Sequence, residues 1–343
     1  MINIKNKLVL ISALLIFSAT NIFSQTVGKT GTTAAKFLSI GIGARANAMG
    51  GAFTSISKDA SSMYWNPAGI AGIENYQSVF TYTKLFIDLK LDYFGLVIPS
   101  GNIGTFGLSV TALNYGTFDV TTENFPEGTG ETFSPTSYAV GLTFAKNITD
   151  NFAVGMTMKY INETIFNSSA KGLAFDIGTI FITPFYGIRF ASAISNYGTK
   201  MQISGSDLDI LYDSNPNSAG NNGKVNASIR TDKFELPLRL QIGISKDFQI
   251  TEGERFTLAV DGLVPNDNRQ FINVGGELAL FNGVFFLRGG YKKLFLKNSQ
   301  EGVTFGVGLH YDGISSFDFT LDYAFQKFKY LGNTHSFGIM LKF

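Results

Sequence analysis

The sequence has no cysteine, two histidines and one tryptophan in 343 residues. The absence of cysteine excludes disulfide frameworks, thiolate metal sites and cysteine nucleophiles. A zinc site built on His310 and His335 would have to borrow carboxylates, and no metal-ligand spacing supports one. We therefore expect neither a metal nor a cofactor. The charges nearly cancel, with 27 basic against 26 acidic residues, so the chain lacks the one-signed field that a nucleic-acid partner requires.

Long uncharged apolar runs are also lacking beyond the first residues of the chain. Lys5 and Lys7 precede an apolar stretch over residues 8–17, and small or polar residues then extend to Gln25. Such a stretch is too short for a membrane anchor helix, which needs roughly twenty residues. The pattern predicts instead a secretory signal peptide over residues 1–24, cleaved before Gln25. No cysteine stands at that site, which excludes a lipid-anchored lipoprotein.

Aromatic and small residues are abundant. The chain has 33 Phe, 14 Tyr and 38 Gly, whereas charged residues make up only 15%. From residue 76 onward, segments of about ten residues alternate between apolar and small or polar side chains, which is the length that a tilted strand needs to cross a bilayer. In the clearest segment the large apolar side chains all take one face. They are Val303, Phe305, Val307, Leu309 and Tyr311.

This repetition predicts an all-β fold, a transmembrane antiparallel β-barrel of about 14 strands over residues 76–343. Short turns should alternate with longer polar loops, and an even strand number leaves both chain ends on the periplasmic side. The longer loops are expected at 116–136, 163–171, 195–235, 294–301 and 326–333, and one of the turns at 247–254. The predicted strands are 76–86, 89–98, 105–115, 137–146, 152–162, 172–182, 185–194, 236–246, 255–264, 270–280, 284–293, 302–311, 316–325 and 334–343. The first two alternate least regularly.

The charged side chains of these strands share the face of the small residues. A soluble β-sandwich would carry denser charge on its outer face, so this distribution favours the membrane barrel. The four basic and five acidic residues nearly balance, and an unpaired buried charge is costly. We therefore expect a filled lumen with paired charges rather than an open porin, and Arg45 as a partner for one of the acids. The predicted lumen residues are Lys159, Asp176, Arg189, Arg239, Asp261, Glu277, Arg288, His310, Asp318 and Asp322.

His310 is the one histidine on this face. It could serve a hydrolase triad, but no sequence feature selects its serine and acid partners. A lumenal hydrogen-bonding role is the simpler interpretation, and we expect no catalytic site.

The last predicted strand alternates up to the final residue. Phe337, Ile339, Leu341 and the terminal Phe343 share one face. A soluble protein rarely leaves an apolar residue at a fraying end. We therefore interpret these residues as an assembly signal for the outer-membrane insertion machinery, the alternative being a strand that happens to end on Phe.

The segment before the barrel, residues 25–75, has a different composition. Its central part, residues 35–73, is rich in Ala, Gly and Ser and shows no long alternation. Small residues let backbone approach backbone, as a segment threaded inside a barrel must. We predict a plug, or hatch, inside the barrel, with a surface arm at the periplasmic rim as the alternative.

Four short motifs in this segment resemble those of a known family. They are Gly43-Ala44-Arg45, Ala48-Met49-Gly50-Gly51-Ala52, Asp59-Ala60 and Tyr64-Trp65-Asn66-Pro67-Ala68-Gly69. As a set they resemble the N-terminal region of the FadL-like superfamily, and within it the PorV/PorQ family of Bacteroidetes-type outer-membrane proteins is the most similar. The hatch motif residues carried over by this resemblance are Arg45, Gly50, Gly51, Trp65, Asn66, Pro67, Ala68 and Gly69.

The resemblance implies an integral outer-membrane barrel with an N-terminal hatch and no enzymatic activity. PorV relatives work with the type IX secretion system, where they receive exported proteins by their C-terminal signal domains and pass them to the surface attachment machinery. FadL relatives carry hydrophobic compounds through the barrel wall. The expected partners are outer-membrane lipid, the insertion machinery and either secretion components with their cargo or a hydrophobic ligand. The sequence leaves both alternatives open.

Overall fold

The computed structural model describes residues 31–213, 225–314 and 317–343. The predicted signal peptide and residues 25–30 lie outside these ranges. Fourteen strands form a barrel: β1 Gln77–Lys84, β2 Lys90–Pro99, β3 Thr105–Asn114, β4 Thr136–Thr149, β5 Phe152–Ile165, β6 Ser168–Ile182, β7 Arg189–Gly198, β8 Arg239–Thr251, β9 Glu254–Pro265, β10 Phe271–Leu280, β11 Phe285–Leu294, β12 Glu301–Ile314, β13 Phe317–Phe328 and β14 Asn333–Lys342.

Each strand pairs antiparallel with its neighbours in sequence, and β14 pairs with β1 to close the ring. The closing seam is in continuous register from Gln77 opposite Lys342 to Lys84 opposite His335. A closed sheet leaves no strand edge unpaired, which is the condition for strands in lipid. The predicted fold, strand count included, is confirmed.

The two faces of the wall differ as the alternation predicts. In β12, Phe305 and Leu309 are more than half exposed, while Thr304, next to Phe305, is fully buried. Large apolar side chains point outward in this way around the ring, which is the lipid face of a membrane barrel. Within the described residues, no helix has the length and apolarity to cross a membrane.

Two predicted connections are wrong. The expected loop at 163–171 is a two-residue turn, because β5 runs to Ile165 and β6 begins at Ser168. The expected turn at 247–254 shrinks to residues 252–253 for the same reason. At the first place the outward face of the strands becomes polar, so alternation of apolar and polar residues no longer marks them. In β8 the alternation continues through the exposed Phe248 and Ile250 up to Thr251.

The long connections gather at one end of the barrel, which we call the loop end. Residues 115–135 contain a short pairing of Phe118–Asp119 with Thr132–Phe133. Residues 199–238 contain Ile203–Gly205, which extends the sheet beside β6, and a pairing of Asp209–Tyr212 with Val225–Ser228. The opposite end, the turn end, has shorter connections and carries the start of β1 and the end of β14. Short turns face the periplasm in such barrels.

The described residues before β1, 31–75, lie inside the ring, and we call them the inner segment. It contains two short α-helices, α1 Ala44–Ala48 and α2 Ser62–Trp65, each followed or preceded by tight turns. The 3₁₀-helices Lys36–Ser39 and Pro67–Ile70 complete it. Helix α1 packs on β11 to β14, whereas Pro67–Ile70 packs on β3 to β6. The segment therefore spans the lumen from wall to wall, and the protein core lies between it and the strands.

Candidate functional site

The inner segment meets the wall at inward-facing glycines. A Cβ on Gly275 would stand 2.2 Å from the carbonyl oxygen of Met49, and one on Gly290 would stand 2.3 Å from the backbone nitrogen of Gly50. On the opposite wall, a Cβ on Gly155 would lie 2.4 Å from the carbonyl carbon of Pro67. Backbone therefore touches backbone on both sides, which only glycine permits.

The turn after α1 also requires glycine. Gly50 and Gly51 have φ values of 66° and 73°, in the left-handed region, and that region is costly for other residues. These two glycines of the hatch motif thus bend the chain away from the wall immediately after the contact at Met49.

Asn66 of the hatch motif ties the inner segment together and to the wall. Its Nδ2 donates to the carbonyl oxygens of Thr54 at 3.0 Å and Thr179 at 3.1 Å, and its Oδ1 accepts from the backbone N–H of Ala68. It thereby caps the turn Pro67–Ile70, where Gly69 is closely packed. Asn66 is fully buried, and each of these bonds satisfies a backbone group that water cannot reach.

Trp65 supports the same segment from within. Its Nε1 donates to the carbonyl oxygen of Ile42 at 3.1 Å, and its ring packs edge-on against Tyr64 and Phe53. The Tyr64 hydroxyl donates to backbone carbonyls of the segment as well. The motif residues thus hold a fixed shape across the lumen, and their geometry shows no catalytic arrangement.

Arg45 of α1 anchors the segment to the wall through a buried ionic network. Its Nε donates to Oε2 of Glu277 at 2.8 Å, and its Nη1 lies 3.3 Å from Oδ2 of Asp59. Arg288 donates to the same Glu277 at 2.7 Å and to Asp322 at 2.5 Å. These five side chains alternate in charge, so each buried charge faces an opposite one.

Asp261 forms a second anchor. Its Oδ2 accepts from the backbone N–H groups of Phe53 and Thr54, both at 2.9 Å, and from the Thr54 hydroxyl at 2.7 Å. The residue is fully buried. These three bonds satisfy Oδ2 away from water, whereas Oδ1 is buried with no hydrogen-bond partner among the described residues. The three bonds fix the bend between α1 and α2 to β9.

Three further predicted lumen charges form two ion pairs within the wall. Lys159 lies 2.7 Å from Asp176, whose Oδ1 accepts the backbone N–H of Asn196 at a bulge between β6 and β7. Arg189 makes two hydrogen bonds of 2.8 Å to the carboxylate of Asp247. Both pairs lie on the inner face and brace neighbouring strands.

The remaining predicted lumen residues have other surroundings. The guanidinium of Arg239 lies over the rings of Tyr64 and Trp65, 5.6 and 5.7 Å from their centroids. His310 accepts from or donates to the Thr320 hydroxyl at 3.0 Å, in contact with no triad-like acid and serine among the residues described. Asp318 lies near the turn end, opposite Lys342 in register, and joins none of these clusters.

Sequence reasoning missed several charged residues of the lumen. Asp247 was assigned to a turn, and Arg255, which lies 3.5 Å from Glu277, stands near the start of its strand. At the loop end of β11 and β12, Lys292 is buried and Glu301 is partly buried. Their position at strand ends, where alternation fades, explains the omission, and counting the inward face to the end of each strand would have found them.

The inner segment leaves a cavity on each side of it. At the turn end, a cavity of about 210 Å³ is lined by the Arg45 network and His310. At the loop end, a larger cavity of about 470 Å³ is lined by aromatic and aliphatic side chains together with Arg239 and Lys292. We call the latter the loop-end cavity. Among the described residues no cluster of three or more His, Asp or Glu is placed to hold a metal ion.

The residues of the predicted assembly signal lie on the outer face of the seam. Phe337, Ile339, Leu341 and Phe343 are each about half exposed. The Phe343 ring stacks on Tyr76, with centroids 5.8 Å apart and planes 8° apart, and its N–H donates to the Tyr76 carbonyl oxygen. The last residue thus meets the first residues of the barrel.

A closed fourteen-strand barrel with an apolar outer face and a segment folded through its lumen defines an outer-membrane protein of the channel or carrier class. The comparisons specify it further. The family model "Type IX secretion system protein PorV" matches residues 23–266, and the chain belongs to the PorV family. A comparison with curated proteins gives no significant match.

Solved structures share the FadL-like fold at low sequence identity. The Pseudomonas putida toluene transporter TodX is 12% identical with a TM-score of 0.55, over 88% of this chain and 97% of that one. The Ralstonia pickettii toluene transporter TbuX is 14% identical with a TM-score of 0.51, over 88% and 97%. A Pseudomonas aeruginosa FadL homologue is 13% identical with a TM-score of 0.50, over 92% and 99%. These likenesses establish the fold alone, and fold and family together point to the outer membrane.

Proposed function

We propose that this protein is a partner-binding carrier or scaffold in the outer membrane that serves type IX protein secretion and surface attachment. The family match over residues 23–266 is the observation that carries the proposal. A signal peptide over residues 1–24 would export the chain, residues 25–75 would form the hatch, and residues 76–343 the barrel. The protein is proposed to have no enzymatic activity.

The filled lumen supports a binding role over an open pore. The inner segment contacts opposite walls, and the acids that anchor it have partners there: Glu277 is paired with Arg45, and Asp261 accepts hydrogen bonds from Phe53 and Thr54. A wide water-filled channel would leave such charges hydrated rather than paired. The protein surface available to a partner is therefore the loop end and the outer wall rather than a lumen.

Exposed apolar side chains at the loop end fit the same role. Leu211 and Tyr212 are 64% and 55% exposed, and Val225 on the paired strand is 57% exposed. Apolar side chains that stand above the barrel, away from lipid, are typical of a surface that binds a partner.

Gene deletion tests this function. We expect cargo proteins with uncleaved C-terminal signal domains to accumulate in the periplasm, because no carrier would pass them to the surface. Pull-down of the tagged protein should recover translocon or attachment components. Normal surface display together with an absence of export partners would contradict the proposal.

A transporter of hydrophobic compounds is the second candidate. The loop-end cavity carries it, because a half-enclosed apolar cavity inside such a barrel is where a hydrophobic compound would bind. The structurally similar TodX and TbuX are described as toluene transporters. On this alternative, deletion would leave secretion intact and slow the uptake of a hydrophobic compound.

A further inference from the structure

We propose that a group of basic side chains on the outer wall at the loop end binds the phosphate group of a lipid in the outer leaflet of the membrane. The group, which we call the seam patch, consists of Lys327 of β13, His335 of β14, Lys84 of β1 and Lys90 of β2. The inference goes beyond both candidate functions, since neither specifies a membrane lipid as a ligand. The strand register, the charge balance and the wall beneath the patch carry it.

The side chains of the seam patch point away from the lumen. Thr83 and Ser336 are buried and hydrogen-bonded to each other on the inner face. Because successive side chains of a strand take opposite faces, the adjacent residues Lys84 and His335 point outward. The same alternation turns the other two lysines outward, and all three lysines of the patch are exposed.

Strand pairing brings three of these side chains to one height on the wall. Lys84 is opposite His335 on one side and opposite Lys90 on the other. Adjacent strands lie about 4.8 Å apart, so the three positions span about 10 Å. Lys327, which is opposite Asn333, stands one step nearer the loop end. Like charges directly opposite each other are destabilising, and the pair of Lys84 and Lys90 therefore indicates a bound anion.

The described part of the chain supplies no ion partner for these lysines. No carboxylate there lies within 4.0 Å of any of their ammonium groups. Two acids are near in sequence: Asp92, two residues after Lys90 on the same face, and Asp88, exposed in the connection between β1 and β2. Lys329 is exposed just after β13. Four lysines thus face two acids, and positive charge remains in excess.

The wall beneath the patch is apolar. Phe80 of β1 and Phe337 and Ile339 of β14 continue the outward face toward the turn end, and each is about half exposed. The Nδ1 of His335 forms a hydrogen bond with the Tyr323 hydroxyl at 2.9 Å, so only its Nε2 can contact a ligand. A molecule with a phosphate at the patch and acyl chains along the wall would fit both surfaces.

This arrangement selects a lipid phosphate over other anions. Short turns face the periplasm in such barrels, so the patch lies at the level of the outer-leaflet headgroups. Free phosphate would pair with the lysines but gain nothing from the apolar wall. A general attraction to headgroups would spread lysines around the ring. At the same height, the outward face of the other ten barrel strands, all described there, carries one basic residue, Lys171 of β6.

Titration with lipid A, a phosphorylated glycolipid of outer leaflets, tests the proposal. The full barrel in a neutral detergent would be titrated with diphosphoryl lipid A and with dephosphorylated lipid A, and native mass spectrometry would count the bound molecules. We expect saturable binding of the diphosphoryl form, at least about tenfold tighter than that of the dephosphorylated form, because each charge-assisted hydrogen bond adds affinity. Inorganic phosphate at equal concentration should not displace it. Equal affinity for the two forms, or displacement by inorganic phosphate, would overturn the proposal.

Variants locate the headgroup. Changing Lys84, Lys90 and Lys327 together to Gln should remove the preference for the diphosphoryl form. The matched control makes the same change at three outward lysines elsewhere on the wall and should keep the preference: Lys146, Lys171 and Lys246. Lys84→Gln alone is the second variant should the triple variant fail to insert, and a heat-dependent gel shift would verify that each variant folds.

The comparison of the two triple variants separates the patch from net charge, because both lose three positive charges. A preference that survives the changes at the seam patch would reject the site. An equal loss in both triple variants would also reject it, since overall charge rather than the patch would then attract the lipid.

Discussion

At the scale of single residues, the barrel interior shows how charges are kept away from water. Glu277 is 1% exposed and receives hydrogen bonds from Arg45 on one side and Arg288 on the other. Removing a buried carboxylate from such a network leaves the cations without their main partner. The free energy lost in this way is larger than the net stabilisation that the ion pair contributes. Glu277 is therefore the residue on which the attachment of α1 to the wall most depends.

Glu277→Gln should destabilise the folded barrel by about 2–3 kcal/mol, because Arg45 and Arg288 each keep one other acid, Asp59 and Asp322. The measurement is the midpoint of heat- or urea-induced loss of the compact gel band. Glu252→Gln is the matched control, since Glu252 is exposed in the turn between β8 and β9. Equal stability of the two variants would show that the network does not hold the segment.

Phe343 offers a second test at this scale. Its deletion should lower the amount of inserted protein and raise periplasmic degradation, because an apolar terminal residue on the lipid face is proposed to be read during insertion. Tyr76→Ala is the control: it removes the ring stacking on Phe343 and leaves the terminal residue in place. Normal insertion after deletion of Phe343 would show that the residue is not an assembly signal. An equal loss of inserted protein in both variants would show that Phe343 acts by packing at the seam between β1 and β14.

At the scale of elements, the contact between α1 and the wall depends on two glycines of neighbouring strands, Gly275 of β10 and Gly290 of β11. Gly289, the residue just before Gly290, points outward, and a Cβ there would meet nothing closer than 3.9 Å. Adjacent positions on one strand thus place opposite demands on the side chain.

Gly290→Ala should displace the inner segment, because its Cβ would overlap the backbone of Gly50. We expect faster protease cleavage within residues 40–60 and a higher ion conductance in planar bilayers than for the native barrel. Gly289→Ala is the matched control and should behave like the native protein in both measurements. If Gly290→Ala also behaved like the native protein, the wall rather than the inner segment would have moved to accommodate the added Cβ.

Strands were the elements best predicted from sequence, and the reason is physical. In the apolar band each strand must face lipid on one side and the lumen on the other, so alternation is enforced there. Outside the band the outward face of β5 and β6 is polar, and this explains why alternation does not mark their ends, whereas β8 alternates through Phe248 and Ile250 up to Thr251. Charge balance alone predicts that Arg45 lies beside an acid. Which acid it contacts, Glu277, depends on how the inner segment lies against the strands, and the sequence does not reveal this.

The loop-end cavity could not be predicted at all. Its lining residues come from the inner segment and from strands far apart in the chain. Arg239 lies over the rings of Tyr64 and Trp65, whereas Arg288 is paired with Glu277. Both arginines were assigned to the lumen from alternation. Which of them is paired follows from how strands lie opposite the inner segment, and that is a property of the closed ring.

At the scale of the whole molecule, closure of the ring makes the stability of each strand depend on both of its neighbours. Every barrel strand has two hydrogen-bonded neighbours, and the seam between β1 and β14 is as regular as the other pairings. No strand can leave without breaking two sets of hydrogen bonds in lipid, where water does not replace them.

The protein should therefore resist detergent until it is heated. Outer-membrane fractions are expected to give a compact, faster band on a gel without boiling and a slower band after boiling. A chain lacking β14, with the seam open, should give only the slower band. Recovery of the native protein entirely as a soluble species would contradict the membrane fold.

The location of the inner segment at the start of the chain sets an order of events in time. It is synthesised before any strand of the barrel, yet residues that hold it, Asp261, Glu277 and Gly290, are synthesised in the last third of the chain. Its helices of four and five residues are too short to persist alone. The inner segment is thus synthesised before the wall but can acquire its structure only when the wall is present, so we expect the wall to assemble around it.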